Sequence, residues 1–444
     1  MSGGTGSVRV KPQVLKGMRD FLPGQMILRQ RVMDTWRGVF ERYGFAPIET
    51  PTIEYLEILT GKIGEDEKLI YHFEDHGGRP VGLRYDLTVP LARFIASHRH
   101  ELTFPFKRYH IAPVFRADRP QKGRYRQFWQ CDVDIVGTTS PVADAEIIMI
   151  WITALAAIHM PNVVVQINHR KLLQSLSTYA GAQPGQAQAI IRAIDKLAKI
   201  GPSGVEEEML RHGVPAEAAR RVLELVALRG EPAEVLAELR QRLAGLDEAQ
   251  AGVSDLDLIF GYLRDMGANP SQYTLDLSLA RGLDYYTGPV FEAVVEEPKI
   301  GSLGGGGRYD GLIGTFLGEE IPATGAALGL ERIVDVIEEL ALLPQPEAVS
   351  KVLVTIFGDE LIGASLALVE ELRRAGVPAE IYLGESRQLR RQLEYANKRG
   401  IPVVAILGPD EVANGTVMLR RMATGEQDAT PRGEAAAAVL RLAA

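Results

Sequence analysis

The sequence predicts an α+β chain, and three features predict it. Two strand-forming runs flank a long basic loop, a central stretch has purely helical texture, and β and α segments alternate at the C-terminal end. Four segments are expected: 1–170, a helical insertion at 171–265, a return to strand-like sequence at 266–343, and a small α/β domain at 350–444.

The elements follow in order. Val32, Trp36, Val39, Phe40 and Tyr43 recur at spacings of three and four, which predicts an amphipathic helix over Met26–Tyr43 that stops at Gly44. GFAPIETPTIEY continues as an extended segment broken by Pro47 and Pro51. VGLRYDLTVP at 81–90 reads as a strand running into a helix that carries Arg93 and Phe94. Strands at 106–116 and 125–136 form a hairpin closed by the polar loop ADRPQKGRY. From about 170 to 265, Ala, Leu, Glu and Arg repeat at helical spacing, interrupted at Gly201-Pro202, Gly213-Val-Pro215 and Gly230-Glu-Pro232. Strand-like, Gly-rich sequence returns at 273–295 and 300–317, and a helix is expected to begin near Ala323. LPQPEAVS at 343–350 is a linker, after which VLVTIF, AEIYLG and VVAILG alternate with helices ending near Arg374 and Arg399.

Composition narrows the class. The 444 residues, with 46% hydrophobic and 24% charged content, suit a soluble protein of two or three domains. No apolar run approaches the ~20 residues of a membrane helix, and MSGGTGSVRVKPQ lacks a signal-peptide core. One cysteine, Cys131, excludes an intrachain disulfide and a Cys-based zinc site, so no structural transition metal and a cytoplasmic setting are expected. The net charge of −8 argues against wholesale nucleic-acid wrapping. Between 107 and 126, however, Lys107, Arg108, Arg116, Arg119, Lys122, Arg124 and Arg126 face a single Asp118.

Four motifs carry chemistry. Alternation puts Phe128, Gln130, Asp132 and Asp134 on one face of a strand, with Arg108, His110, Ala112, Val114 and Arg116 on one face of its partner. Pairing would bring an arginine and an aromatic ring onto one floor that ends in carboxylates. An exposed sheet face with surface ion pairs is the plainer alternative. RGLDYYTG at 281–288 places a cation, two glycines and two tyrosines where they cost core stability unless they bind something, and a turn before an edge strand is its plainer reading. GSLGGGGRYDGLIG forfeits side-chain packing, which is tolerable where a ligand lies against backbone. It is neither a Walker loop nor a Rossmann fingerprint. ATGAALGLERI at 323–333 sets small residues before a helix bearing Arg332.

Together and in this order, these pieces resemble the class II aminoacyl-tRNA synthetases, and specifically the histidyl-tRNA synthetase family. GMRDFLP at 17–23 looks like the family's N-terminal signature, and the helix with the extended segment to Pro51 resembles motif 1, the dimer-forming element. FRADRPQKGRYRQF at 115–128 resembles motif 2, and GAALGLERI at 325–333 resembles motif 3. RGLDYYTG and GGGGRYDG match the two histidine-specific motifs.

The resemblance implies a catalytic domain on a mostly antiparallel sheet with an inserted helical domain, plus a C-terminal anticodon-binding α/β domain. It implies ATP as substrate with Mg2+ accompanying it, L-histidine and tRNA(His) as partners, and a homodimer. By position, Arg116 would bind the α-phosphate, Phe128 would stack on adenine and Arg332 would reach the γ-phosphate. Asp118 stands where the family's Arg-x-Glu places a Glu against the adenine amino group. Asp86, Thr88 and Gln130 would hold the substrate ammonium, and Asp134, Tyr285 and Tyr286 would surround the imidazole. Arg281 would sit beside the reacting carboxylate, so Arg116 and Arg281 are the expected catalytic residues. For tRNA, Gln121, Lys122 and Arg124 of the motif 2 loop would meet the acceptor stem. Arg387, Arg390 and Arg391, on an expected basic helix between Gly384 and Gly400, would meet a phosphate backbone. Two rivals are a regulatory paralogue serving ATP phosphoribosyltransferase and a non-catalytic sensing module. The first lacks an anticodon domain and usually loses the RGLDYY pattern, whereas this chain keeps both, and the intact set Arg116, Arg281 and Arg332 argues against the second.

Overall fold

A computed structural model of the chain describes residues 11–61, 64–121, 123–280, 285–344 and 348–443. Two of the expected site residues, Lys122 and Arg281, lie outside the described residues. The chain divides into two compact units, one comprising residues through Asp20 with Val32–Leu343, the other Phe21–Arg31 with Pro344–Ala444.

The first unit is built on an eight-stranded sheet. Its order is Ala46–Pro47, Phe106–Phe115, Gln127–Val136, Ala323–Gly329, Ser302–Arg308, Pro289–Val295, Val163–His169 and Tyr273–Leu275. The inner pairings are antiparallel and the two outermost are parallel, the mixed, mostly antiparallel sheet expected. The hairpin register sets Arg108 opposite Asp134, Ala112 opposite Gln130 and Val114 opposite Phe128, so the two predicted faces do coincide.

One face of this sheet is core. Helix Pro141–Ala157 starts where Ser140 accepts a hydrogen bond from the Val142 amide and Pro141 pre-sets the first turn. Its buried Ile147, Ile148, Trp151 and Leu155 are apolar almost all round, as a helix enclosed by protein must be. Trp151 meets Phe291 edge-on at 5.7 Å, and Trp36 donates its indole N–H to the Ala154 carbonyl at 2.9 Å. Trp36 belongs to the predicted amphipathic helix, observed as Pro23–Arg42.

Between Val163–His169 and Tyr273–Leu275 the chain is helical: Arg170–Ala180, Ala187–Ile194, Leu197–Arg211, Ala216–Val226, Pro232–Arg242 and Asp247–Asp265. Gly201, at φ 71°, breaks the third of these as the Gly-Pro pair predicts.

One expectation fails here. Ala323–Gly329 is a strand, and the helix begins only at Leu330. Its small residues pair with strands on both sides, and that ladder overrides the helix preference of its alanines. Likewise, Pro289–Val295, reached from RGLDYYTG, is an interior strand and not an edge.

The second unit holds a five-stranded sheet ordered Ala379–Ile381, Val352–Val354, Val403–Ile406, Thr416–Arg421 and Gln427–Pro431. The first three strands run parallel, joined by helices Ile362–Arg374 and Leu389–Lys398, as the β and α alternation predicts. The last two add antiparallel, beyond the segment read from sequence. Val352, Val354, Leu368, Leu372, Val403 and Leu419 are buried together as its core.

Candidate active site

The second sheet face carries the polar residues. Reading across the register, Arg108, Asp134, Gly325 and Gly307 form one row, and His110, Asp132, Ala327, Gly305 and Glu292 form the next. Glycine at 305 and 325 and alanine at 327 leave little but backbone in the middle of this face, while Tyr286 covers Gly307. Above it lies a cavity of about 400 Å³ lined by Asp86, Thr88, Arg116, Asp118, Arg124, Phe128, Gln130, Asp134, Tyr285, Tyr286 and Arg332, among others.

At one end, Asp134 is held from two sides. Arg108 places Nη2 2.6 Å from its carboxylate with both side chains buried, and the Tyr309 hydroxyl donates to Oδ1. Burial pushes the Asp134 carboxyl above its usual range, against the pull of Arg108. Tyr285 meets Tyr286 at 4.9 Å and Tyr309 at 5.8 Å, both edge-on, so three rings wall this end. Burial raises the pKa of all three phenols, which keeps them as neutral donors. Thr88, beside Tyr285, offsets a small part of that rise.

Close by, Asp86 accepts the Val89 amide at 3.1 Å, in the first turn of the helix Thr88–His98. Its Oδ2 and the Oε1 of Gln130 are buried acceptors without a donor. Burial raises the Asp86 pKa, partly offset by Arg116 and Arg108. Asp132, on the same strand face, is buried and does not line the cavity.

At the other end, Arg116 lies between two rings, 4.1 Å from the centre of Tyr85 and 5.0 Å from that of Phe128, with Nε donating to the Tyr85 carbonyl at 3.1 Å. The arginine and aromatic floor predicted from alternation is thus present. Arg332, on the first turn of Leu330–Glu339, donates from Nε to the Gly123 carbonyl at 2.9 Å and from Nη1 to that of Ser302. Glu331, also at the cavity lining, accepts the Trp129 amide at 2.8 Å.

The loop between the hairpin strands is closed by paired hydrogen bonds between Gln121 and Arg124. Arg124 reaches the cavity lining, 4.0 Å from Asp118, whereas Gln121 stays outside it.

The family model for histidyl-tRNA synthetase matches residues 17–333, and one for an anticodon binding domain matches 351–442. The chain belongs to the histidyl-tRNA synthetase family. A histidine–tRNA ligase of Rhodopirellula baltica is 44% identical over 421 residues, covering 94% of this chain and 95% of the relative. Another from Aeropyrum pernix is 44% identical over 437 residues, covering 97% and 98%. A crystal structure of histidyl-tRNA synthetase from Nostoc sp. PCC 7120 superposes with a TM-score of 0.89 at 34% identity, over 98% of this chain and 100% of that one. This class II synthetase therefore brings Asp86, Thr88, Arg116, Asp118, Phe128, Gln130, Asp134, Tyr285, Tyr286 and Arg332 around one cavity.

Sequence reasoning gave no role to Arg108, Tyr309 or Tyr85. Arg108 sat on the predicted face and Tyr309 within GGGGRYDG, but their common partner was not legible. In the second unit, the basic stretch is less of a helix than expected. The helix begins at Leu389, so Arg387 precedes it and pairs with Asp359 at 2.8 Å. Arg390 and Arg391 both pair with Glu394, at 3.1 and 3.2 Å, and remain exposed. Among the described residues no group of three or more His, Cys, Asp or Glu could hold a metal, and no helix is long and apolar enough to cross a membrane.

Proposed function

We propose that this cavity activates L-histidine with ATP and that the histidyl group then passes to the 3′ end of tRNA(His). A histidine–tRNA ligase works in these two steps, through histidyl-adenylate and pyrophosphate. The observation that carries the assignment of the cavity is the end walled by Asp134, Tyr285, Tyr286 and Tyr309. A neutral imidazole has one N–H donor and one acceptor nitrogen. The buried carboxylate accepts from the first, and a phenol held neutral donates to the second. Asp86 Oδ2 and Gln130 Oε1, with Thr88, supply acceptors for the substrate ammonium.

ATP then lies over the other end, with adenine on Phe128, its amino group toward Asp118, the α-phosphate at Arg116 and the γ-phosphate at Arg332. The histidine carboxylate oxygen attacks the α-phosphorus, one P–O bond forms, and the bond to the departing pyrophosphate breaks. Positioning and fixed cations carry such a step, and Arg116 and Arg281 are the residues proposed to supply them. Mg2+ usually holds few protein ligands and rides on substrate phosphates. That suits this lining, where Glu292, opposite Gly305, and Glu331, next to Arg332 in sequence, are among the carboxylates. When bound, the ion would supply charge neutralisation on the leaving phosphates.

The same reading takes 171–265 as an inserted domain and 350–444 as the anticodon reader. Gln121, Lys122 and Arg124 face the acceptor stem, and Arg387, Arg390 and Arg391 face an RNA backbone. It also takes the chain as a cytoplasmic homodimer. Exchange of labelled pyrophosphate into ATP, run with each amino acid in turn, tests it: exchange with histidine alone is expected. Exchange with none, or with another amino acid in preference, overturns the reading.

A further inference from the structure

The motif GMRDFLP has no place in the cavity, yet its first residues grip one wall of it. The Gly17 carbonyl accepts the Arg126 amide at 2.8 Å, and the Lys16 carbonyl accepts Arg126 Nη1 at 3.1 Å. Arg126 Nε also donates to the Asp118 carbonyl at 3.0 Å, and the Arg126 carbonyl accepts the Arg116 amide at 2.9 Å. One arginine thus closes the neck of the loop 117–126 and ties that neck to the N-terminal segment. Gly17 has φ 89°, and a Cβ there would stand 2.7 Å from Pro120 and 2.9 Å from Arg126. Only glycine lets the two chains lie this close.

Arg19 makes the second grip. Its guanidinium stacks 3.5 Å above the ring of Tyr125, and Nη1 lies 4.0 Å from Asp335, at the outer limit of an ion pair. The Tyr125 hydroxyl donates to the other oxygen of Asp335 at 3.2 Å. Asp335 is one turn beyond Arg332 on the helix Leu330–Glu339. Arg19 therefore joins the loop to that helix, and Tyr125, Gly123, Arg124 and Asp118 of the loop all line the cavity.

We infer that Lys16–Arg19 is a brace that sets the loop 117–126 for the nucleotide, with Arg19 as its positioning residue. It touches no reacting atom. It fixes the distance between the loop wall and Arg332, the two groups proposed to hold ATP, and so acts on ATP and not on histidine at the opposite end. This rests on the proposed function.

The test is steady-state pyrophosphate exchange on the full chain, with ATP and histidine varied separately. Arg19→Ala is expected to raise KM for ATP about tenfold, with KM for histidine within about twofold of wild type. Arg19→Lys keeps a charge near Asp335 but loses the planar stack, and should fall between the two. Asp335→Asn, which leaves the N-terminal segment untouched, should give the same split, and the double variant should be no worse than Arg19→Ala. The inference is overturned if Arg19→Ala keeps the wild-type KM for ATP, or raises both KM values alike as a general loss of folded enzyme would. Lack of histidine-dependent exchange in the wild-type control overturns the functional reading instead, so the two failures are told apart.

Discussion

Arg108 and Asp134 face each other across the hairpin with 2.6 Å between guanidinium and carboxylate, and both are buried from solvent. The Tyr309 hydroxyl, 175 residues away from Asp134 in sequence, completes the arrangement. Each partner makes the others tolerable: a buried carboxylate without its cation is costly, and so is the cation without its carboxylate.

Arg108→Met should therefore destabilise the fold by roughly 3–5 kcal/mol, because Asp134 keeps its burial and loses its counter-charge. Arg108→Met with Asp134→Leu should recover much of that loss. Urea unfolding followed by circular dichroism checks both, and additive losses would show that the pair is not coupled.

Tyr309→Phe removes the hydroxyl and keeps the ring. A hydrogen bond to a charged group is worth about 1.5–3 kcal/mol, so KM for histidine should rise by roughly ten- to a hundredfold while KM for ATP stays put. Pyrophosphate exchange with each substrate varied measures the split. An unchanged histidine KM would remove Asp134 from the imidazole end.

Gly305 and Gly306 should behave oppositely. A Cβ on Gly305 meets no protein atom within 4 Å, whereas one on Gly306 would lie 2.6 Å from the Gly325 carbonyl and 2.7 Å from the Ala326 side chain. Gly305→Ala is expected to fold with a near-normal melting temperature and to lose at least about tenfold in exchange, since its methyl enters the cavity floor. Gly306→Ala should cost about 1–3 kcal/mol of stability through overpacking. Thermal melts paired with exchange assays separate the two.

His110 sets an acid limb. It is buried beside Arg108, Arg84 and Asp132, and its pKa is lowered from 6.5 to about 3 by burial first and by the two arginines next. An unfolded chain takes up a proton below about 6.5, while the folded chain refuses it until about 3. Stability from this group is therefore intact above pH 6.5 and is lost as pH falls through that window, by up to about 1.4 kcal/mol per pH unit. Asp132, whose pKa burial pushes well up, works in the opposite sense over the acidic range. The difference between wild type and His110→Gln isolates the histidine: the variant should lose less melting temperature between pH 7 and pH 5. Parallel losses would mean that His110 is charged in the folded chain.

Much of the site was legible because a strand's two-residue period is rigid. Knowing only that 106–116 and 125–136 pair, alternation already put Arg116 near Phe128 and Gln130 in line with Asp134. What it missed depends on contacts between distant segments. Nothing local to Gly17 or Arg19 says that they grip Arg126 and Tyr125, and nothing local to Tyr309 points to Asp134. The misplaced helix start at Ala323–Gly329 has the same cause: small residues suit a helix until two neighbouring strands claim their backbone. For the basic stretch at 387–399, charge counted along the chain did not show that Arg390 and Arg391 both pair with Glu394 or that Arg387 reaches Asp359.

The bare floor formed by Gly305, Gly325 and Ala327 has a consequence for what this enzyme can learn to accept. Where side chains line a pocket, a rotamer can swing aside to admit a larger guest. Here the bottom is main chain and one alanine methyl, locked into hydrogen bonds with strands on both sides. Lowering it by even an ångström means deforming several strands at once. The depth of the cavity is therefore its least adjustable dimension, and any widening of its substrate range has to come from the walls.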